Sequence, residues 1–247
     1  MVCSVILTLK RKGDQAMNQE ELELRNWFLE TKDEPLEAMA AFFDKRIEGY
    51  EEHMSFWQKH YEWLAKLVPE GTERLLDIGC GTGLELDKIF ERFPQLYVTG
   101  VDLSEQMLNK LSEKYKNRNL SIIRANYFTY DLGEACYDVA ISFETLHHYE
   151  KEKKKQVFAR LCRSLKEGGV YLECDYIASS EEIERLCFEE CARRRKRDGI
   201  LPDTFVHFDT PLTLEHEMQA MREAGFSKVE LVGFLADDNT PMIRAFK

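Results

Sequence analysis

The sequence predicts an α/β fold with a mostly parallel sheet and helices on both faces, and two observations carry that prediction. From residue 74 onward, short apolar runs alternate with longer segments whose apolar residues recur at helical spacing. The first of these runs passes directly into a glycine-rich turn, "DIGCGTG" at 77–83. Together they indicate repeated strand–turn–helix units, in which the strands lie parallel to one another.

The elements follow in order along this part of the chain. Strands are predicted from Arg74 to Ile78, Tyr97 to Asp102, Leu120 to Ala125, Tyr137 to Ser142 and Val170 to Asp175. Between and after the strands we expect helices at Leu84–Phe93, after the N-cap Ser104, at Glu150–Leu165, at Glu181–Arg197 and from the N-cap Thr213 to Gly225. Gly168 and Gly169 are expected to end the helix that begins at Glu150. Two last strands, Lys228 to Phe234 and Met242 to Phe246, lie only a loop apart and predict an antiparallel pair.

The chain before residue 71 has a different character. Residues 19–68 predict helix throughout and are dense in aromatic side chains, so we expect an N-terminal helical cap at 17–70 and a single globular unit at 71–247. Residues 1–16 carry a short apolar run with bases after it, which is not the pattern of a secretory signal. We expect them to be disordered and without function, or to precede a native start at Met17.

Composition limits the classes of function. The 247 residues include 34 Lys and Arg against 45 Asp and Glu, and the net charge of −11 argues against non-specific nucleic-acid binding. Seven cysteines without tight spacing indicate reduced thiols and a cytoplasmic protein. No apolar run approaches the length of a membrane span. The basic run at 193–197 is interpreted as a solvated helix face rather than as a nucleic-acid surface. The run at 151–155 is also interpreted as a solvated face, and the alternative is that it draws an acidic substrate to the rim of the site.

The glycine turn predicts a particular ligand. Its third glycine comes one position too early for the dinucleotide pattern, and a nucleotide P-loop would need Lys-Ser/Thr after it. Asp77 would repel a pyrophosphate but suits an ammonium group. Asp102, 19 residues after Gly83, ends the next strand, where an acid accepts hydrogen bonds from ribose hydroxyls. A ligand that joins an amino acid to a ribose without phosphate is S-adenosylmethionine.

These segments resemble the class I S-adenosylmethionine-dependent methyltransferases. "LLDIGCGTG" is similar to the first motif of that family and "VTGVDLS" to the second, and "IIRANYFT", "YDVAISFETLHHY" and "LKEGGVYLECD" resemble the next three segments. The resemblance covers about residues 72–176. It implies a Rossmann-like, doubly wound, seven-stranded and mostly parallel sheet with an antiparallel last strand. Residues outside this range match only loosely, and in the family such parts hold substrate specificity.

The resemblance also implies roles for residues of this chain. Asp77 and the turn of Gly79, Cys80, Gly81 and Gly83 would face the methionine end of the cofactor, and Asp102 the ribose. The remaining implied cofactor contacts are Leu103 and Met107 at the adenine, Asn126 and Tyr127 near its amine, and Phe143 after strand four. Asn126 stands where many members have Asp, and it is open whether it binds the amine or only caps a loop. In the cap, Tyr50 and Arg46 are expected at the carboxylate end.

The segment "FETLHHY" at 143–149 lies where an acceptor should meet the methyl group. His147 is the first candidate for a general base, because histidine titrates near neutrality, and Glu144 is the second. The alternative that His147 only packs or caps stays open. No metal site is predicted. Arg194 stands where a radical-enzyme cysteine triplet would need a third cysteine after Cys187 and Cys191, and a zinc site would have too few partners nearby.

We therefore predict an S-adenosylmethionine-dependent methyltransferase that acts on a small molecule and releases S-adenosylhomocysteine. A tRNA base or its modification intermediate is the alternative acceptor, and a non-catalytic, cofactor-binding activator is a third possibility. No membrane partner is expected, and a homodimer is left open. Apolar residues at helical spacing from Phe42 to Tyr61 predict one helical stripe that closes over the cofactor.

Overall fold

The computed structural model describes residues 14–201, 203–235 and 238–247, so the prediction for residues 1–16 lies outside the described residues except at 14–16, where the chain is helical. Seven strands in this part of the chain form one sheet: β1 (Arg74–Ile78), β2 (Tyr97–Asp102), β3 (Leu120–Arg124), β4 (Tyr137–Phe143), β5 (Leu165–Cys174), β6 (Lys228–Gly233) and β7 (Met242–Phe246). They lie in the order β3-β2-β1-β4-β5-β7-β6, and among them β7 alone is antiparallel to the rest. The predicted fold class and the antiparallel final pair are confirmed.

The described helices are α1 (Asp14–Glu30), α2 (Met39–Arg46), α3 (Tyr50–His53), α4 (Gln58–Leu67), α5 (Leu86–Arg92), α6 (Glu105–Lys114), α7 (Lys151–Ser164), α8 (Glu181–Asp198) and α9 (Leu214–Glu223), with a 3-10 turn at Met54–Trp57. Ser104 and Thr213 cap α6 and α9 as predicted, each accepting a hydrogen bond from a backbone N–H of its helix. None of the described helices is both long and apolar enough to span a membrane.

Alternate residues of the central strands face two separate cores. Leu75 of β1 packs with α4, α5 and α6, whereas Leu76 packs with α7 and α9 on the other face of the sheet. A third, smaller cluster joins α1 to α8 through Leu24 and Leu186. Since the sheet is covered on both faces, the edge at which the parallel strands end is left as the place for a ligand.

The prediction of continuous helix at 19–68 is wrong. The chain leaves helix after Glu30 and again at 47–49, so the apolar stripe from Phe42 to Tyr61 is shared between α2 and the segment from α3 to α4. Pro35 and Gly49 stand in these two breaks. Buried members of the stripe pack in the core under α4, and half-buried members face two cavities; the buried ones are Met54, Trp57 and Tyr61.

Three other predictions need correction. α7 ends at Ser164, and Gly168 and Gly169 lie within β5, whose pairing with β4 shifts register between Tyr137 and Val139. α5 begins at Leu86, because Leu84 and Glu85 still belong to the glycine turn. The run at 151–155 is not a simple solvated face, since Lys154 is fully buried.

Candidate active site

The turn after β1 is built from glycines in a conformation that other residues rarely adopt. Gly79, Gly81 and Gly83 have φ angles of +67°, +48° and +71°. A Cβ at Gly79 would lie 2.3 Å from the side chain of Thr145, so the turn is held against the segment after β4. Among the described residues, a Cβ at Gly81 would meet within 4 Å just the hydroxyl of Tyr50, at 3.7 Å. Gly81 therefore presents its bare backbone to open space.

Asp102 ties this turn to the end of β2. Its Oδ2 accepts a hydrogen bond from the Gly81 N–H over 3.1 Å, and its Oδ1 accepts one from the Ser104 N–H over 2.8 Å. Burial raises the pKa of Asp102, although these backbone donors partly offset the effect. A carboxylate has about four lone-pair sites, so Asp102 can still accept a hydrogen bond from a further donor.

A cleft with about 580 Å³ of empty space, a figure that includes solvent at its open side, lies beside this turn; we call it the glycine-turn cavity. Its lining includes most of the residues that the sequence assigned to a cofactor: Tyr50, Gly79, Gly81, Asp102, Leu103, Met107, Tyr127 and Phe143, with the catalytic candidate Glu144. The structure thus brings together residues from β1, β2, β4 and the cap at the carboxyl edge of the sheet.

Four predicted residues lie just outside this cavity. Cys80 and Gly83 line a smaller adjoining cavity of about 250 Å³ that also reaches Tyr50 and Glu85. Asp77 is buried beside Glu85, and burial together with the Glu85 charge raises its pKa well above the usual range. Asn126 accepts a hydrogen bond from the Phe128 N–H at 2.9 Å through Oδ1, which is the loop-capping geometry that the sequence left open.

A second cavity, which we call the histidine cavity, adjoins the first. It has about 1060 Å³ of empty space, a figure that again includes open solvent, and its lining includes Phe42, Arg46, His53, Met54, His147 and His207. Both cavities are also lined by Phe43, Tyr50, Glu144 and His148, so these four residues form the junction. Arg46 faces the histidine cavity rather than the glycine-turn cavity, and it donates a hydrogen bond to Glu37 at 2.9 Å.

Glu144 occupies a strained position at this junction. Its φ of +48° is unusual for a residue with a side chain, and such strain is found at functional sites. Both of its carboxyl oxygens are buried and have no hydrogen-bond partner among the described residues. Burial raises the pKa of Glu144 to about 8, although the His147 charge opposes the shift.

His147 is held between two buried carboxylates. Its Nδ1 lies 2.5 Å from Oδ1 of Asp175, and its Nε2 lies 3.6 Å from Oδ1 of Asp209. Burial lowers the pKa of His147, but Asp175 and Asp209 outweigh it and raise the value to about 9. Both ring nitrogens are therefore turned toward anionic partners.

Three polar residues of this region were not found from the sequence. Asp175 follows β5, and the segment "LECD" contained it without marking it as special. His207 and Asp209 come from the loop before α9, which the pairing of Ala38 with Val206 brings over the site. Phe42 stacks on His207 with ring centroids 3.5 Å apart. No local spacing could indicate them, because about sixty residues separate His207 from His147.

Comparison with known proteins agrees with this geometry. Residues 75–169 match a family model described as a methyltransferase domain. The chain is 31% identical over 122 residues to an uncharacterized methyltransferase of Mycobacterium bovis, an alignment that covers 49% of this chain and 60% of the relative's length.

Solved structures share the fold at low sequence identity. The phosphoethanolamine N-methyltransferase 2 of Haemonchus contortus, in complex with S-adenosyl-L-methionine, superposes with a TM-score of 0.59 at 21% identity, covering 83% of this chain and 57% of that one. Human N-acetylserotonin methyltransferase, in complex with the same compound, gives 0.58 at 18% identity, covering 81% and 54%. The chain therefore contains a methyltransferase domain, and it shares its fold with methyltransferases solved in complex with S-adenosylmethionine.

Proposed function

We propose that this chain binds S-adenosylmethionine in the glycine-turn cavity and transfers its methyl group to a small molecule in the histidine cavity. The observation that carries the proposal is the bare backbone of Gly81, which opens into the same cavity as the carboxylate of Asp102. A ligand can approach the turn closely there while its ribose hydroxyls donate to Asp102.

The linings of the two smaller cavities support an orientation for the cofactor. Leu103, Met107 and Tyr127 offer apolar surface for the adenine at the far side of Asp102. The adjoining small cavity suits the amino-acid end, because the Glu85 carboxyl lines it and Asp77 lies buried behind. Arg46 would need to leave Glu37 to reach a carboxylate there, so its contact with the cofactor stays a prediction.

The junction between the cavities is where the reacting groups would meet. When bound, S-adenosylmethionine supplies an activated methyl group whose departing thioether is neutral, so positioning of the acceptor is the main requirement. Phe43 and Tyr50 give the junction aromatic walls that exclude water. Glu144 is the better-placed proton acceptor, because this residue lines both cavities. The role of His147 as a general base stays a prediction, and the carboxylates at both of its nitrogens count against it.

The tRNA alternative receives less support from the charged surface. In the run at 193–197, Arg193 and Arg194 both pair with Glu190, and Arg197 pairs with Asp198. Arg194 is also buried, which corrects the interpretation of this run as a wholly solvated face. These arginines therefore stabilise α8 and its contacts rather than present a free basic surface for phosphates. A cytoplasmic location is part of the proposal, since six cysteines in the described residues are free thiols.

The proposal is tested by offering methyl-labelled S-adenosylmethionine with a small-molecule metabolite extract and, separately, with total tRNA. We expect label in a small-molecule product, formed by the wild type and lost in Asp102→Ala. Label in tRNA would favour the alternative acceptor. Tight binding of S-adenosylmethionine without transfer to either pool would favour the non-catalytic activator.

A further inference from the structure

The wall between the histidine cavity and the core contains a cluster whose geometry is that of a metal site. His147, His148 and Asp209 each offer one ligand atom, and these atoms lie within 4.8 Å of one another. We call these three residues the His-His-Asp cluster. We propose that it binds one divalent transition-metal ion, with an open coordination position toward the histidine cavity.

The separations between the donor atoms fit a small cation. Oδ1 of Asp209 lies 3.3 Å from Nδ1 of His148 and 3.6 Å from Nε2 of His147. Ligands at roughly 2.0–2.2 Å from a tetrahedral zinc ion are separated by roughly 3.3–3.6 Å. Oδ1 of Asp209 is buried and makes no hydrogen bond among the described residues, although both imidazoles lie beside it. Apart from these imidazoles it has no partner among the described residues, so an ion held between the three groups would satisfy it.

The surroundings of His147 have the form of an outer coordination shell. A ligating histidine typically donates its other ring N–H to a carboxylate, which fixes the orientation of the ring. Nδ1 of His147 is 2.5 Å from Asp175, whose own oxygens accept N–H groups from Leu146 at 2.8 Å and Tyr176 at 3.0 Å. Nε2 is thereby left to face Asp209, on the side of the proposed ion.

The cluster also has a route for an ion and a place for a further ligand. His147 and His148 line the histidine cavity, and His148 lines the glycine-turn cavity as well. Three protein ligands with an open fourth position are the pattern of catalytic rather than structural sites. An oxygen or sulfur atom of the acceptor could take that position; this use of the ion rests on the proposed function, whereas binding of the ion does not.

A proton is the competing occupant. Nδ1 of His148 also lies 3.3 Å from the carbonyl oxygen of Phe208, so a proton on this nitrogen could be shared between the two oxygens. A protonated His147 would likewise form a hydrogen bond to Asp209. The ion and these protons exclude one another. A metal ion bound to Nε2 of His147 also excludes a general-base role for that atom.

The test is titration of chelator-treated, full-length protein with Co²⁺, followed by its visible absorption and by calorimetry. We expect one ion per chain with bands of nitrogen and oxygen ligation and without a thiolate charge-transfer band. Asp209→Asn should weaken binding by more than about 100-fold, and Asp175→Asn by about 10–100-fold, as for an outer-shell carboxylate. His216→Ala is the matched control, because His216 pairs with Glu184 at 2.9 Å away from the cavities and should leave binding unchanged.

The outcomes separate this proposal from the proposed function. Circular dichroism checks that each variant folds, and the wild-type spectrum reports the ligand type even if Asp209→Asn does not fold. Absence of Co²⁺ binding, a thiolate spectrum, or wild-type affinity in folded Asp209→Asn would overturn the metal site. S-adenosylmethionine binding is measured on the same samples without metal. If the wild-type protein does not bind S-adenosylmethionine, the proposed function is contradicted, whereas the metal-site proposal is unaffected.

Discussion

The backbone N–H of Gly81 donates a hydrogen bond to Oδ2 of Asp102 over 3.1 Å, and this bond joins the turn after β1 to the end of β2. Because Asp102 also accepts from the Ser104 N–H, one carboxylate positions both the glycine turn and the first turn of α6. Asp102 therefore has two roles in this fold. It shapes the glycine-turn cavity, and it can accept a further hydrogen bond from a ligand in that cavity.

The first prediction concerns this carboxylate. Asp102→Ala should weaken S-adenosylmethionine binding by about tenfold to hundredfold, since hydrogen bonds to a charged acceptor contribute about 1.5–3 kcal/mol each. Isothermal calorimetry measures the effect. Asp102→Asn, which keeps one carbonyl oxygen and the size of the side chain, should retain more affinity than the alanine variant. An unchanged dissociation constant in Asp102→Ala would remove Asp102 from the cofactor site.

The second prediction compares two glycines of the same turn. A Cβ at Gly81 points into the cavity, whereas one at Gly83 would lie 2.5 Å from Leu111 and 2.9 Å from Tyr115. Gly81→Ala should therefore lower cofactor affinity while the chain stays folded, at a conformational cost of about 1–2 kcal/mol. Gly83→Ala should lower the melting temperature much more. If the two variants lose affinity and stability in parallel, the turn has only a structural role.

The third prediction tests Glu144. Glu144→Gln keeps the shape of the side chain but removes its capacity to accept a proton, so turnover should fall by about 10²–10⁴-fold once an acceptor is known. Cofactor affinity should change little, and single-turnover kinetics separate the two effects. Equal turnover in the variant would mean that the acceptor needs no base from this residue, as for a nucleophile that is already deprotonated.

The fourth prediction concerns the cap over the cavities. Asp44 accepts a hydrogen bond from the Ser104 hydroxyl at 2.5 Å, and Lys110 donates to the carbonyl of Ile47 at 2.8 Å, so polar contacts join this segment to α6 and its N-cap. We expect residues 44–61 to exchange amide hydrogens more slowly when S-adenosylmethionine is bound. Equal protection in both states, together with normal affinity in Tyr50→Ala, would make the cap a structural brace.

The fifth prediction is about stability away from the site. Nζ of Lys154 lies 2.5 Å from Oε2 of Glu217, and both side chains are fully buried. Lys154→Met keeps most of the volume but leaves a buried carboxylate without its partner, which should cost about 3–5 kcal/mol of unfolding free energy. Urea denaturation measures this loss. Lys155→Met is the neighbouring control, because Lys155 pairs only with exposed acids, and its midpoint should hardly move.

Local patterns predicted most of the sheet. β1, β2 and β7 have the bounds that the sequence indicated, and Ser104 and Thr213 cap helices where expected. These features depend on side-chain alternation and on hydrogen bonds within a few residues, and such interactions are encoded locally. The glycine turn is equally local, since its positive φ angles are available mainly to glycine.

The sequence by itself determined the sheet, the turn and the residues at the ends of its strands. Only the tertiary structure decided which distant groups meet: the burial of Lys154 against Glu217, and the arrival of His207 and Asp209 beside His147. The physical reason is that side-chain periodicity reports only which face of an element is buried. Contacts between segments about sixty residues apart depend on how whole elements pack, and no local sequence pattern indicates that packing.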